Sequence, residues 1–221
     1  MAARQRQQAK RKRAAPRQAG GKRASQAAPG RPKSAEAHRA ILKAALQMVL
    51  AGESLSGLSL EAVAKRAGVG KATIYRHWPT KEALLLEAFI TEFKSPLPAL
   101  AGTSVRDDLS ALLGGLIERD PAVAQRVFLA MMSDGLHFSQ LNRQYRAAVV
   151  EPWVDAIRGV LRRGVSSGEL APGTDVEQTL TLLMAPVQVH LLVKGGRDPL
   201  PPNYPRFVVE TVLQGVASAK A

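Results

Sequence analysis

Apolar residues recur at helical spacing along most of the chain after residue 33, and no segment shows the alternation that is typical of strands. This pattern predicts an all-α protein. Capping residues and Gly or Pro breaks set the limits of each segment, and Pro152 predicts a kink within the seventh. The predicted helices span residues 34–50, 60–67, 71–77, 81–94, 105–119, 121–135, 139–165, 174–194 and 205–217.

The second and third predicted helices form the most informative segment. Ser59 stands at an N-cap position before the first of them, and Gly68 stands where helices commonly close in a left-handed conformation. Ile74 faces inward from the following helix, whose other side chains are left for the outside. Two short helices joined by a tight glycine turn predict a helix-turn-helix, and its second helix is sized for the major groove of DNA.

The proline-containing stretch 95–98 predicts a break between two domains. Residues 34–94 are expected to form a three-helix DNA-binding domain that also contains the start of a longer helix, and residues 95–221 a second, helical domain. The predicted core of the first consists of Ile41, Ala45, Val49, Leu60, Val63, Ala67, Ile74, Trp78 and Leu84.

Positive charge is concentrated at the N-terminus. Residues 1–33 contain eleven Lys or Arg, no Asp or Glu, and no Val, Leu, Ile or aromatic residue, so this arm is predicted to be disordered. Two interpretations stay open. The arm is either a solvated charged leader or a flexible segment that neutralises phosphates or enters a minor groove beside the main site.

Composition excludes several classes of function. The chain has no cysteine, so disulfides and thiolate sites are excluded, which fits a reducing cytoplasm. No apolar run approaches the ~20 residues that cross a bilayer. The four histidines are scattered, and neither a phosphate-binding glycine loop nor an H-E-x-x-H pair is present. We therefore expect no enzyme, no metal, no cofactor and no membrane partner.

The run AxxAGVGKATIYRHWPTKEALL resembles the recognition segment of the TetR/AcrR-type one-component transcriptional regulators. The matching features are the Gly68-Val69 turn, Thr73-Ile74-Tyr75, an aromatic residue at 78, and Lys81-Glu82 with Leu85 at the start of the next helix. The resemblance covers residues 34–93 closely. Trp78 is a small departure, because phenylalanine is commoner there.

The resemblance, together with the position of each side chain on the helix, gives a set of predicted DNA contacts. Tyr75 and Lys81 resemble family residues that contact phosphates, and His77 resembles a position that contacts the DNA backbone. Lys71 and Arg76 can reach base edges or phosphates, and Ser59 is a helix cap first and a phosphate contact second. The predicted DNA-binding residues are Ser59, Lys71, Thr73, Tyr75, Arg76, His77 and Lys81.

For the C-terminal half the resemblance implies a regulatory domain whose last two long helices pair with those of a second subunit. Candidate dimer contacts are Leu180, Leu183, Val187, Leu191, Phe207, Thr211, Val212 and Gly215. It also implies a pocket for a small apolar or neutral effector. Candidate pocket residues are Met131, Met132, Phe138, Trp153, Met184, Gln188 and His190. Residues with these patterns also occur as ordinary core residues.

The resulting hypothesis is a cytoplasmic, homodimeric repressor that binds a roughly palindromic DNA operator and is released by a small molecule. Two alternatives stay open. The chain could be an architectural protein that binds DNA without sequence preference, or a regulator whose C-terminal domain only dimerises. A specific regulator prefers its operator over random DNA by about 10³ or more, and an architectural protein does not.

Overall fold

A computed structural model describes residues 31–117, 120–133, 138–190 and 200–215. No β-strand occurs among these residues, which confirms the all-α class. None of the described helices is long and apolar enough to cross a membrane. The helices are α1 (Arg31–Leu50), α2 (Leu60–Ala67), α3 (Lys71–His77), α4 (Lys81–Phe93), α5 (Val105–Ile117), α6 (Pro121–Ser133), α7 (Ser139–Tyr145), a π-helical turn (Arg146–Val150), α8 (Glu151–Ser167), α9 (Val176–Val189) and α10 (Tyr204–Gln214).

The helix starts follow the caps that the sequence indicated. The hydroxyl of Ser59 accepts a hydrogen bond from the N–H of Ala62 at 3.2 Å and opens α2. The hydroxyl of Thr80 accepts one from the N–H of Ala83 at 3.2 Å and opens α4. Asp175 caps α9 in the same way. Each cap satisfies a backbone donor that a helix start leaves without an intrahelical partner.

The described part of α1 starts at Arg31, so Ser34 lies inside the helix and is not its N-cap. Residues 1–30 of the arm that was predicted to be disordered lie outside the described residues. The predicted helix ends at 118–119, 134–135, 191–194 and 216–217 also lie outside the described residues.

The first hydrophobic core lies around α1 to α4. Eight of the nine residues predicted for it are buried, and Ala67 is half-buried against the others. Leu55 and Leu58, which lie in the loop between α1 and α2, are also fully inside it. The core does not stop at residue 94. It continues into α6, α7 and the π turn through Val127, Met131, Phe138, Leu141 and Val149.

A second core joins α5, α8, α9 and α10. Leu109, Ile157 and Leu183 are completely buried at its centre. Asp108 of α5 is also buried, and it accepts hydrogen bonds from Arg163 of α8 and from the backbone of Gly102. A carboxylate can lie in this apolar setting because a cation and a backbone donor both satisfy it.

Helices α7 and α8 are two parts of one continuous helical run with a wider turn between them. The N–H of Glu151 bonds to the carbonyl of Arg146, which is the i→i+5 pattern of a π-helix. Pro152 follows directly. Because a proline ring clashes with the carbonyl four residues earlier, a wider turn at this point relieves the clash. The predicted kink at Pro152 thus takes the form of a π turn.

Gly68 gives a direct test of the helix-turn-helix geometry. Its φ is +71°, whereas Gly70, two residues later, has φ −72°, and both have open space where a side chain would be added. We expect Gly68→Ala to lower the free energy of unfolding by about 1–2 kcal/mol, because a Cβ resists the left-handed conformation. Gly70→Ala should change it by less than about 0.5 kcal/mol. Equal effects in urea unfolding would contradict this assignment.

Candidate functional site

The recognition helix α3 presents a polar, positively charged surface. Ile74 is fully buried and anchors the helix to the first core, whereas Lys71, Arg76 and His77 are exposed. Tyr75 keeps 47% of its surface exposed, which is unusual for an aromatic residue of this size. The structure therefore places four of the predicted DNA-contacting side chains together on one exposed helix, and Thr73 is half-buried between them.

Tyr75 already has a partner in the free protein. Its hydroxyl donates a hydrogen bond of 2.6 Å to Oε1 of Glu61, which lies in the first turn of α2. This bond lowers the pKa of Glu61 and raises the pKa of Tyr75. The pair joins the two helices of the motif across the glycine turn. For Tyr75 to donate to a phosphate, its hydroxyl has to leave this carboxylate.

Lys81 is also held in place. Its Nζ donates a hydrogen bond of 2.7 Å to the backbone carbonyl of Ser56, in the loop between α1 and α2. The same ammonium lies 5.3 Å from the centre of the Phe138 ring, a cation–π distance. Phe138 was predicted to line an effector pocket, but it is not among the residues that line the cavity described below. It is buried in the first core below Lys81, because the chain enters α7 next to the start of α4.

A cluster of rings and one carboxylate fixes the end of α3. The indole N–H of the buried Trp78 donates to Oε2 of Glu87 at 2.7 Å, and Nε2 of His38 lies 3.0 Å from the other oxygen of the same carboxylate. The rings of His38, His77 and Trp78 all contact one another, with centroids 4.8 to 5.5 Å apart. Trp78 is therefore a core residue whose polar atom is satisfied, as a buried indole requires.

A cavity of about 320 Å³ lies between α6, α7, α8 and α9. Five of the predicted pocket residues line it, namely Met131, Met132, Trp153, Met184 and Gln188. His190 is not among the lining residues. It is buried, and its Nδ1 has no hydrogen-bond partner among the described residues.

Several lining residues were not predicted. Phe93 is the last residue of α4, and Tyr145 and Arg146 stand where α7 meets the π turn. Tyr145 was visible in the sequence as part of an apolar stripe with Val149 and Trp153. Nothing in that periodicity distinguished a stripe that lines a cavity from one that fills a core. The available signals were a charged residue next to the stripe, Arg146, and a proline soon after it, Pro152.

The family assignment rests on matches over both halves of the chain. Residues 41–88 match the family described as bacterial regulatory proteins of the tetR family. Residues 101–212 match the tetracyclin repressor-like, C-terminal domain. The chain belongs to the TetR family of transcriptional regulators.

Individual relatives agree with this membership. The HTH-type transcriptional regulator YdeS of Bacillus subtilis is 30% identical over 87% of this chain and 96% of its own length. The DNA-binding transcriptional repressor TetR of Mycobacteroides abscessus is 30% identical over 79% of this chain and 90% of its own. These relatives are transcriptional regulators, so this TetR-family protein is a regulator with a DNA-binding domain and not an enzyme.

Solved structures show the same fold. The flavonoid-responsive regulator FrrA superposes with a TM-score of 0.62 at 23% identity, covering 83% of this chain and 98% of that one. The regulator FadR from Bacillus subtilis, in complex with stearoyl-CoA, superposes with a TM-score of 0.64 at 18% identity, covering 80% and 98%. At these identities the likeness concerns the fold alone.

The predicted dimer contacts of this TetR-family chain need correction on α9. Leu180 and Leu183 are buried in the second core, and Val187 is buried in the cavity wall, so all three face into their own protomer. The exposed apolar side chains of α9 are instead Leu182 (59%) and Val189 (54%). The helix is apolar on two sides, and periodicity could not decide which side faces inward.

On α10 the predicted contacts are placed differently. Phe207 is 59% exposed, Thr211 and Gly215 are exposed, and Val212 is half-buried against the second core. Leu191 lies outside the described residues. Since α9 packs against α10, the exposed apolar residues of the two helices, Leu182, Val189 and Phe207, belong to neighbouring elements. We call this surface the α9–α10 face.

The hydrogen bond between Tyr75 and Glu61 predicts a pH dependence. The pKa of Glu61 is lowered below 4.5 in the folded state, so the bond stabilises the protein above that pH and is lost as pH falls through the lowered value. We expect Tyr75→Phe to reduce the urea midpoint at pH 7 and to match the wild-type protein in strongly acidic solution. Tyr204→Phe is the control, because its hydroxyl has no recorded partner among the described residues. If the urea midpoint of Tyr75→Phe stayed below that of the wild-type protein at low pH, the effect could not be assigned to this bond.

Proposed function

We propose that this protein is a homodimeric repressor that binds a roughly palindromic operator and leaves it when a small molecule enters the cavity. The observation that carries the proposal is the position of α4. Three residues separate its first residue, Lys81, from the recognition helix, and its last residue, Phe93, lines the cavity. One helix therefore connects the segment next to the recognition helix with the wall of the cavity.

Binding of DNA would use the exposed side of α3. In each subunit this helix lies in a major groove, with Lys71 and Arg76 reaching base edges or phosphates and with Tyr75, His77 and Lys81 on the backbone. Thr73 offers its hydroxyl, and Ser59 adds an N-cap position close to the phosphates. The two half-sites lie about 34–36 Å apart, one turn of the DNA, or somewhat further.

Release of the operator would pass through an aromatic contact. The ring of Tyr145, which lines the cavity, meets Phe89 and Phe93 of α4 edge to face, with centroids 6.1 and 6.3 Å apart. A ligand that moves Tyr145 therefore moves α4. Since a ligand shifts a conformational balance only by its difference in affinity for the two states, the cavity must be larger or better shaped in the released state.

A second contact links the body to the DNA-binding surface. Phe138 enters α7 below the ammonium of Lys81, and Tyr145 stands at the other end of the same helix. A shift of α7 would thus reach α4 at both of its ends. The relatives support ligand control, since FrrA is named as responsive to flavonoids and FadR was solved with stearoyl-CoA. The relative from Mycobacteroides abscessus is named a repressor.

Selection of bound fragments from random DNA tests the proposal as a whole. We expect a palindromic site, and a preference for it over unrelated DNA of about 10³ or more. Enrichment of no common sequence would favour an architectural protein and contradict the proposal. Addition of a cavity ligand should lower operator affinity, and a thermal-shift screen that finds no stabilising compound would favour a C-terminal domain that only dimerises.

Arg76 tests the recognition helix directly. Its side chain is exposed and has no recorded partner among the described residues, so Arg76→Ala removes a DNA contact without disturbing the fold. We expect operator affinity to fall about tenfold or more, since a good base contact is worth about 1–3 kcal/mol. Arg162→Ala, an exposed arginine on α8, is the control for net charge. An equal loss of operator affinity in both variants, measured by fluorescence anisotropy, would show that α3 is not part of the DNA interface.

The α9–α10 face tests the dimer. Phe207→Glu or Leu182→Glu places a charge on an apolar surface that a partner would bury, so we expect the sedimenting species to change from dimer to monomer. Leu97→Glu is the control, because Leu97 is also an exposed apolar residue (41%) but lies outside this face. Operator affinity should fall with dimerisation. A dimer that survives both changes would show that the subunits pair elsewhere.

A further inference from the structure

The π turn forms one wall of the cavity. Three of its five residues, Arg146, Val149 and Val150, line the cavity directly. Single π turns within α-helices cost regular hydrogen bonding and often occur at functional sites, because the wider turn redirects side chains. Here Pro152 gives the local cause of the turn, and the cavity lies on the side to which its side chains point.

The same turn brings together two charged residues that a regular helix would keep apart. Residues three or four positions apart meet on an α-helix, whereas Arg146 and Glu151 are five apart. Their side chains meet because the turn is wider, with Nε of Arg146 donating to Oε1 of Glu151 at 2.7 Å. This bond uses only one edge of the guanidinium, and no acceptor among the described residues is recorded for its terminal nitrogens.

The cavity combines a buried apolar floor with exposed lining residues, of which Met132 is apolar and Arg146 and Gln188 are polar. Phe93, Met131 and Trp153 are at most 5% exposed and form the floor. Arg146 and Gln188 line the same cavity but remain largely exposed to solvent. Among the described residues that line the cavity, Arg146 is the only one with a full charge, and Glu151 is not a lining residue. A ligand that fits both parts needs an apolar body and a group that accepts hydrogen bonds from a cation.

We propose that the ligand of this cavity is an apolar compound with a single compact anionic group such as a carboxylate. Arg146 binds the anionic group, which takes the place of the Glu151 carboxylate, and the apolar body packs on the floor. This inference rests on the proposed ligand-controlled function and departs from the apolar or neutral effector expected from the sequence. The ligand is an anion and not a neutral compound, because a neutral ligand would leave Arg146 paired only with Glu151.

The binding of matched probes tests this ligand class. Decanoate and decanamide have the same chain and differ in charge, so their affinities can be compared by isothermal titration calorimetry on the full-length dimer. We expect the wild-type protein to bind decanoate about tenfold more tightly, the lower end for a charge-assisted hydrogen bond because Arg146 is exposed to water. Arg146→Gln should remove the preference. Arg143→Gln, an exposed arginine on α7 that does not line the cavity, should keep it.

A second variant makes the test independent of loss of function. Glu151 competes with the ligand for Arg146, so Glu151→Gln should raise decanoate affinity about threefold or more and leave decanamide unchanged. In an Arg146→Gln background the same change should have no effect. A merely structural role for the ion pair predicts the opposite, namely weaker binding of both probes in each single variant.

A variant with a filled cavity tests whether the probes bind inside it. Met184→Trp enlarges a lining residue on α9 and should abolish binding of both probes while the melting temperature confirms the fold. Three outcomes overturn the inference: no binding of decanoate, equal affinity for acid and amide, or a preference that survives Arg146→Gln. Dimerisation and operator binding are measured on the same preparations. They test the proposed function separately, so a repressor that ignores the acid is distinguishable from a protein that is no repressor.

Discussion

The structure depends on the burial of α4 from two sides. Leu84, Leu85 and Ala88 pack with the helices that precede it, and Phe89 and Phe93 extend the same core towards α7. Each large apolar side chain buried in this way contributes roughly 1.5–3 kcal/mol. Since one helix takes part in both sets of contacts, a movement of α4 would change the packing around Tyr145. At the predicted domain boundary near residue 95 the chain changes direction, but the hydrophobic core continues across it.

The polar contacts around the recognition helix have a different role. Tyr75 with Glu61 joins α3 to α2, Lys81 with Ser56 joins the start of α4 to the loop before α2, and Trp78 with Glu87 joins the end of α3 to α4. Two of the three are exposed to solvent, so they add little to stability in comparison with the apolar core. They instead fix the orientation of Tyr75 and Lys81 at the surface and of the end of α3, where Trp78 is buried. A surface preorganised in this way loses less conformational freedom on binding than a mobile one.

The C-terminal half combines a closed core with an open cavity. Asp108 and Arg163 join α5 to α8 within the second core, which is filled by aliphatic side chains. The cavity lies where the helical run after Ser139 departs from α-helical geometry, and methionines and aromatic rings replace the tighter aliphatic packing. Methionine side chains adapt to different shapes at low cost. Chain geometry and side-chain chemistry thus change at the same place.

The sequence by itself determined the helices, the caps at Ser59 and Thr80, the left-handed Gly68 and the identity of the recognition helix. All of these depend on residues within a few positions of one another, so local rules are sufficient. Only the tertiary structure decided that Phe138 supports Lys81, that Leu183 faces inward while Leu182 faces outward, and that Arg146 stands at the mouth of a cavity. These outcomes depend on which elements meet in space. On a helix that is apolar on two sides, the spacing of residues is the same whichever side a neighbour covers.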